Sequence, residues 1–237
     1  MNFSMSFKHL IRQGIRRWGF DVSRKKPSTQ ADLLTRHEID LLLDVGAARG
    51  SFAVKMRADG YRGRVISFEP LSEYFSQIKK KAEFDGDWQV FNMALGDEDG
   101  QKQINVANNL MSSSFLPMMD QHSLAAPQSA YVKQQVVKVV RLDSVWNKFV
   151  RSEEKVFLKI DAQGFEKKIL EGGRDSLERV AGMQLELSLV PLYEGEETIS
   201  SMLKYVEGLG FKPVFFENGF HDLETGHYLQ ADVVFFR

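Results

Sequence analysis

Short apolar runs alternate with amphipathic segments along most of the chain. The runs that indicate buried strands span residues 41–45, 64–68, 88–93, 156–161 and 183–189. Apolar residues three or four positions apart predict helices over the intervening segments 51–58, 71–78, 166–171 and 199–209. Two last runs, 212–216 and 232–236, flank a polar, turn-rich segment as in a β-hairpin. This order predicts an α/β fold with a mostly parallel sheet and helices on both faces.

The alternation is interrupted between residues 101 and 142. Two β-rich runs, 103–107 and 136–142, lie on either side of a polar stretch that contains the consecutive serines 112–114. We predict an inserted loop or hairpin here, long enough to act as a lid over a binding site.

The N-terminal segment differs from the rest of the chain. Its apolar residues have helical spacing, and its basic residues form a second stripe. Residues 1–26 carry seven Lys or Arg side chains and one Asp, whereas the whole chain has a net charge of −1. We predict a basic amphipathic arm over residues 1–30 and a main domain over 31–237. The apolar stripe of the arm either packs on protein or lies on an anionic membrane surface.

The composition is that of a folded soluble protein, with 43% hydrophobic and 27% charged residues in 237. The absence of cysteine excludes disulfides, a thiolate nucleophile and a cysteine zinc site. The near-zero net charge disfavours nucleic acid as a partner. No apolar run reaches the roughly 18 residues of a membrane-spanning helix, and no secretory signal pattern opens the chain. We expect a cytoplasmic protein, peripheral at the inner face of a membrane if the arm binds lipid.

The segment 44–50, Asp-Val-Gly-Ala-Ala-Arg-Gly, joins the first strand to the first helix, where open α/β sheets bind their ligands. Gly46 and Gly50 allow a tight turn and a close approach of the backbone. Ala48 stands where a dinucleotide-binding loop has its second glycine, which disfavours a pyrophosphate ligand. Nicotinamide and ATP are therefore weak candidates.

Two acids after consecutive strands suggest what the ligand is. Asp44 suits a cationic amine, and Glu69, at the end of the second strand, suits the two hydroxyls of a ribose. Individually, Asp44 is also explained as a helix cap and Glu69 as a surface acid. Together they favour an adenosine-containing ligand without a pyrophosphate.

With these features the chain resembles the FkbM-type family of class I S-adenosylmethionine-dependent methyltransferases. The segments that carry the resemblance lie in order over roughly residues 38–237: 44–50, Phe-Glu-Pro at 68–70, Asn-Met-Ala-Leu-Gly-Asp at 92–97, the serines 112–114, Leu-Asp at 142–143, and Leu-Lys-Ile-Asp-Ala-Gln-Gly-Phe-Glu at 158–166. The resemblance implies a Rossmann-like sheet of about seven strands, the last antiparallel. It also implies methyl transfer from S-adenosylmethionine to a hydroxyl of a saccharide or similar small metabolite.

The resemblance assigns cofactor-binding roles along the chain. The loop residues Gly46, Ala47, Arg49 and Gly50 lie against the methionine part, and Glu69, followed by Pro70, holds the ribose. The adenine is lined by Asn92, Ala94 and Leu95. Asp161, at the end of its strand, points to the methyl-bearing end of the pocket.

A neutral hydroxyl is a poor nucleophile, so a nearby base accelerates the transfer. The candidate bases are Asp161, Glu166 and His221, in that order. Glu166 is equally explained as a first-turn helix acid, and His221 as a solvated loop histidine. Lys159 is on the same side of its strand as Asp161, so it either pairs with that acid or contacts the acceptor. Gln163 replaces a glutamate that relatives commonly carry.

Other functions are less favoured. Asp161 and Glu186 are oxygen ligands of the kind that Mg²⁺ prefers, but two distant acids are a weak signal, so a divalent metal is possible but not favoured and we assign no metal ligands. Glu186 is otherwise a pocket acid. The competing hypotheses are a non-catalytic cofactor-binding module used for assembly or membrane recruitment, and, less favoured, a nucleic-acid methyltransferase that uses the basic arm.

Overall fold

The computed structural model describes residues 29–237, so the predicted arm lies almost entirely outside the described residues. The strands of this part are β1 (Leu41–Val45), β2 (Arg64–Phe68), β3 (Trp88–Phe91), β4 (Ala94–Leu95), β5 (Gly100–Ala107), β6 (Tyr131–Val140), β7 (Val156–Ile160), β8 (Val180–Ser188), β9 (Lys212–Asn218) and β10 (Gln230–Phe236). The helices are α1 (Gln30–Arg36), α2 (Ser51–Ala58), α3 (Ser72–Ala82), α4 (Asp120–Ala125), α5 (Leu142–Phe149), α6 (Glu166–Glu171) and α7 (Ile199–Gly208).

The main sheet has seven strands in the order β3-β2-β1-β7-β8-β10-β9. Neighbouring strands from β3 to β8 pair in parallel. β10 is antiparallel to both of its neighbours, β8 and β9. The predicted fold class is therefore confirmed, including the antiparallel last strand.

Helices cover both faces of this sheet, as the side-chain alternation along β1 shows. Leu41 and Leu43 belong to a core shared with α5, α6 and α7. Leu42 belongs to a second core, shared with α1 and α2. Every residue of β1 and of β7 is buried, because central parallel strands have no solvent-facing side.

The interrupted region forms a second sheet. β5 and β6 pair antiparallel, and β4 adds to β6 in parallel, giving the order β4-β6-β5. β6 begins at Tyr131, five residues before the start of the predicted run 136–142. Leu142, the last residue of that run, instead begins α5 and is buried together with Trp146 and Phe149. Apolar residues of this sheet pack against the start of α3, in a cluster that contains Leu71 and Tyr74. The insertion thus lies beside the carboxyl ends of the main strands.

None of the helices in residues 29–237 has the length and apolar character required to cross a membrane.

The close contact between Gly172, which follows α6, and Gly96, which follows β4, leads to a prediction about stability. A Cβ on Gly172 would lie 1.9 Å from the carbonyl oxygen of Gly96, a backbone atom that cannot move independently. We expect Gly172→Ala to lower the free energy of unfolding by about 1–3 kcal/mol. A Cβ on Gly208, in α7, would meet no other atom within 4 Å, so Gly208→Ala should leave the free energy of unfolding unchanged or raise it by up to about 1 kcal/mol. Urea unfolding measures both, and equal effects would contradict this packing.

Candidate functional site

A cavity of about 330 Å³ lies where the carboxyl ends of β1, β2 and β7 meet the inserted sheet. Of the predicted cofactor-binding residues, those in its wall are Gly46, Glu69, Pro70, Ala94, Leu95 and Asp161. The others are not part of the wall: Asp44, Ala47, Arg49, Gly50 and Asn92. The volume is in the range of small-molecule sites.

The loop after β1 turns tightly against β7. Gly46 has φ +71°, and a Cβ there would lie 1.8 Å from the carbonyl oxygen of Asp161. Gly50, with φ +72°, caps α2 and lies against Trp88. Ala48 is also left-handed, with φ +46°. Only glycine fits the first of these positions, because both the backbone angle and the contact exclude a side chain.

Glu69 ties two loops together at the cavity. Its carboxylate accepts hydrogen bonds from the backbone N–H groups of Ala48 and Leu71, each at 2.8 Å. Burial raises the pKa of Glu69 to about 8, although those two N–H groups act in the opposite direction. Each carboxylate oxygen has a second lone pair that can accept from a ligand hydroxyl. Behind it, the Asn92 side-chain amide donates to the carbonyl oxygens of Glu69 and Pro70.

Asp44 differs from its predicted role, because it is fully buried and is not part of the cavity wall. The register of the sheet pairs it with Ser67 on β2 and Lys159 on β7. The Ser67 hydroxyl donates to one carboxylate oxygen at 3.1 Å, and the Lys159 Nζ lies 3.3 Å from the other. The lysine therefore takes the place that the sequence suggested for a ligand amine.

Lys159 is held by oxygen atoms on several sides. Besides Asp44, its Nζ lies 3.5 Å from a carboxylate oxygen of Asp161 and donates to the Gly46 carbonyl at 3.1 Å. Burial by itself lowers the pKa of Lys159, but Asp161 and Asp44 more than offset this and raise it. The ammonium stays charged and orients Asp161. Of the two roles predicted for Lys159, pairing with Asp161 or contact with the acceptor, the structure shows the pairing.

Gln163 joins the acids at the other end of the cavity. Its side-chain N–H₂ donates to Asp161 at 2.9 Å and to Glu186 at 2.6 Å, while its oxygen accepts from the Tyr193 hydroxyl at 2.7 Å. Burial and the neighbouring Asp161 raise the pKa of Glu186 well above its usual value. Gln163 is therefore a neutral bridge between two carboxyl groups.

Two predicted bases lie outside the cavity wall. Glu166 is buried, and its carboxylate accepts from the N–H groups of Ala162 and Gly164. Burial raises its pKa to about 7. It caps the loop that leads into α6. His221 is exposed on the hairpin between β9 and β10 and lies beside Tyr228. The adjacent residue, Phe220, is in the wall instead.

A histidine that the sequence did not single out, His122 on α4, is buried in the wall. Within the described part of the chain, no three or more His, Cys, Asp or Glu side chains are grouped in a way that could hold a metal ion. The acids Asp161 and Glu186 share the amide of Gln163.

The family model of the methyltransferase FkbM domain matches residues 44–213, which is most of the chain. The chain belongs to the FkbM methyltransferase family. Its fold is similar to that of an FkbM methyltransferase from Methylobacillus flagellatus KT, with a TM-score of 0.54 and 12% identity over 84% of this chain and 44% of the other. The present chain thus spans less than half the length of that protein.

A second solved structure, the fibrillarin of Aeropyrum pernix with bound S-adenosyl-L-methionine, is similar at a TM-score of 0.47 and 11% identity, over 83% of this chain and 66% of the other. No curated protein matches the sequence.

The cavity suits S-adenosylmethionine, the cofactor that the resemblance of the sequence implies. Leu71, Ala94 and Leu95 give an apolar surface for a purine, and Glu69 lies next to them with lone pairs for a ribose diol. A sulfonium ligand needs no phosphate cradle, and the loop after β1 has none.

The pairing of Lys159 generates a prediction. Replacing it with methionine leaves the Asp44 carboxylate buried without its cation, so we expect Lys159→Met to lower the free energy of unfolding by about 3–5 kcal/mol. Adding Asp44→Asn should recover part of the loss, because the uncompensated charge is then removed. Urea unfolding of the two single variants and the double variant gives the coupling energy. A Lys159→Met protein as stable as the wild type would contradict the buried pair.

Glu69 generates a pH prediction. With a pKa of about 8 in the folded state and about 4.3 unfolded, the folded state binds the extra proton between these values. Its contribution to stability is therefore present below about pH 4 and is lost as the pH rises through about 8. In Glu69→Gln the unfolding free energy should fall less between pH 5 and pH 8.5. The exposed acid Glu73 supplies the control Glu73→Gln, which should keep the wild-type pH dependence.

Proposed function

We propose that this domain transfers the methyl group of S-adenosylmethionine to a hydroxyl of a saccharide or a similar small polyhydroxylated metabolite. The observation that carries the proposal is the chemical difference between the two ends of one cavity. One end is apolar and contains Glu69, as a nucleoside requires. The other end combines hydroxyl and amide side chains with aromatic rings.

The polar end suits a compound with several hydroxyl groups. The residues there include Asn109, Ser112, Ser113 and Gln128, which can donate to and accept from sugar hydroxyls. Phe115 and Phe220 offer ring faces to the apolar C–H surface of a sugar. A charged, extended ligand such as a nucleic acid would find little positive charge in this wall.

The loop that carries these groups is held in place by its own hydrogen bonds. The Ser112 backbone N–H donates to the side chain of Asn109 at 3.1 Å, and the Asn109 amide donates to the Ser112 hydroxyl at 3.0 Å. The Ser114 hydroxyl donates to the carbonyl of Gln163 at 2.7 Å, which connects the insertion to the loop after β7. A preorganised acceptor end supports alignment of the two reactants, a major source of acceleration in a displacement.

The cofactor supplies an electrophilic methyl group when bound. The chain's own residues then have three tasks. Glu69 holds the ribose, the insertion excludes water and orients the acceptor, and Asp161 presents a carboxylate to the junction of the two ends. Lys159 and Gln163 fix the direction of that carboxylate from opposite sides.

Calorimetry tests the cofactor half of the proposal. Wild-type protein should bind S-adenosylmethionine and not NAD. We expect Glu69→Gln to bind S-adenosylmethionine about 10- to 100-fold more weakly, because an amide donor replaces one of the two oxygens and leaving a buried polar group unpaired costs about 1–3 kcal/mol. The control Glu73→Gln, which removes an exposed acid on the next helix, should bind S-adenosylmethionine like the wild type.

Radiolabelled methyl transfer tests the acceptor half. The labelled cofactor is offered with methyl α-D-glucopyranoside, methyl α-D-mannopyranoside, glycerol and, as a contrasting class, a tRNA mixture. Label that moves to a glycoside supports the proposal. Label on the tRNA alone would contradict it, and tight cofactor binding without transfer to any compound would indicate the non-catalytic module.

A further inference from the structure

His122 lies in the polar end of the cavity and has no role in the arrangement described so far. It is only 3% exposed, and its ring forms part of the cavity wall. Its neighbours are the ring of Tyr193, at 5.1 Å between centroids, and the ring of Phe220, at 5.4 Å. Aromatic packing on these two sides fixes the plane of the imidazole.

The imidazole ring of His122 has a nitrogen without a hydrogen-bond partner in residues 29–237. Nδ1 is buried and makes no hydrogen bond to any described residue. Buried polar atoms almost always have a partner, so an exception in a cavity wall needs an explanation. The backbone of His122, by contrast, is fully engaged in α4: its N–H donates to Met119, and its carbonyl accepts from Ala126. Because Nδ1 is inaccessible, the ring can meet a ligand only through Nε2, which has no hydrogen-bond partner among the described residues and is not one of the inaccessible atoms.

The acids of the cavity have less free capacity. Asp161 is paired with Lys159 and accepts from Gln163. Glu186 accepts from both Gln163 and Gln230. These hydrogen bonds occupy lone pairs that a substrate hydroxyl would otherwise use, whereas the imidazole makes no such bond within the described residues.

We propose that His122 is the catalytic residue that hydrogen-bonds the reacting hydroxyl of the acceptor and takes its proton during methyl transfer. This inference rests on the proposed function, because it requires a hydroxyl acceptor in the polar end of the cavity.

The step balances in atoms and charge. The acceptor oxygen forms a bond to the methyl carbon while the bond between carbon and sulfur breaks, and that electron pair stays on sulfur. The hydroxyl proton passes to the imidazole. One positive charge therefore leaves the sulfonium and one appears on the imidazolium, so the net charge of the cavity is unchanged and the buried site avoids a new uncompensated charge.

The surroundings of His122 set its protonation state. Burial lowers the pKa of His122 to about 4, so the ring is neutral near pH 7 and keeps a lone pair, although the same shift makes it a weaker base than an exposed histidine. The titratable side chain in contact with it is Tyr193. Through Tyr193 and Gln163 the ring is connected to Asp161 and Glu186.

Three variants test the proposal with methyl α-D-glucopyranoside and methyl α-D-mannopyranoside as acceptors. His122→Phe keeps a ring against Tyr193 and Phe220 but has no lone pair. His122→Ala leaves space for added imidazole. His227→Asn changes an exposed histidine of the β9–β10 hairpin and is the matched control. Thermal unfolding and calorimetric binding of S-adenosylmethionine show whether each variant is folded and keeps its cofactor site.

We expect His122→Phe and His122→Ala to lose about 10²- to 10⁴-fold in kcat, the usual contribution of a general base, with cofactor affinity unchanged. Added imidazole should restore part of the rate to His122→Ala and none to His122→Phe, an effect that a purely structural role would not produce. His227→Asn should transfer methyl groups like the wild type.

The failures of the two proposals can be told apart. Folded His122→Phe that methylates the glycosides within about threefold of the wild type would overturn the role of His122 and leave the proposed function standing. Loss of rate without imidazole rescue of a folded His122→Ala would also overturn it. Wild-type protein that binds the cofactor and methylates neither glycoside would overturn both.

Discussion

The buried pair of Asp44 and Lys159 is the interaction on which the rest of the site depends. Central parallel strands exclude water from both faces, so a charge there must meet its partner on a neighbouring strand. The register of β1 and β7 places these two residues directly opposite each other. A slip of β7 by one position would turn Lys159 to the other face of the sheet and separate it from Asp44. The pair therefore favours a single register, and the Gly46 loop follows from it, because the ammonium also binds the Gly46 carbonyl.

Neutral side-chain amides donate hydrogen bonds to nearby acids that have no lysine partner within residues 29–237. Gln163 separates Asp161 from Glu186, Gln230 donates to Glu186, and Gln184 donates to Asp232. Burial raises the pKa of Asp232 to about 6. Each amide supplies hydrogen-bond donors without adding another negative charge to a site that has one buried ammonium nearby. A glutamate in place of Gln163 would bring a further acid into this group and would need either a proton or a cation.

Much of the fold could be predicted from the sequence because its signals are local. Strand runs, helix periodicity and the hairpin at the end of the chain depend on neighbours a few residues away, and the structure has those that fall within residues 29–237. Glu69 was also accessible to this reasoning, since the end of a strand after a glycine turn is where ligands bind in such sheets. The boundaries of β6 were less predictable, because its first residues are mostly exposed and polar.

The roles of Asp44, Glu166 and His122 could not be read from the sequence, because each depends on what lies opposite in three dimensions. In the sequence, Asp44 occupies the position of a ligand-binding acid, and only the register with β7 shows that it pairs with a lysine. Glu166 occupies the position of a catalytic acid, and only the turn before α6 shows that backbone N–H groups point at it. His122 lies on a helix too short for a periodic signal, and its neighbours Tyr193 and Phe220 come from distant parts of the chain.

The division of the cavity has a consequence for how specificity is built. The main sheet supplies the end that contains Glu69, whereas the insertion supplies the serines, α4 and most of the polar end. The two parts meet at Gln163, whose carbonyl accepts from Ser114 of the insertion while its side chain orients Asp161 of the main sheet. A change in the insertion that moved Ser114 would thus reach the carboxylate at the junction through a single residue. Under the proposed function, acceptor choice and alignment of the reacting groups are therefore mechanically coupled, even though they are encoded in separate parts of the sequence.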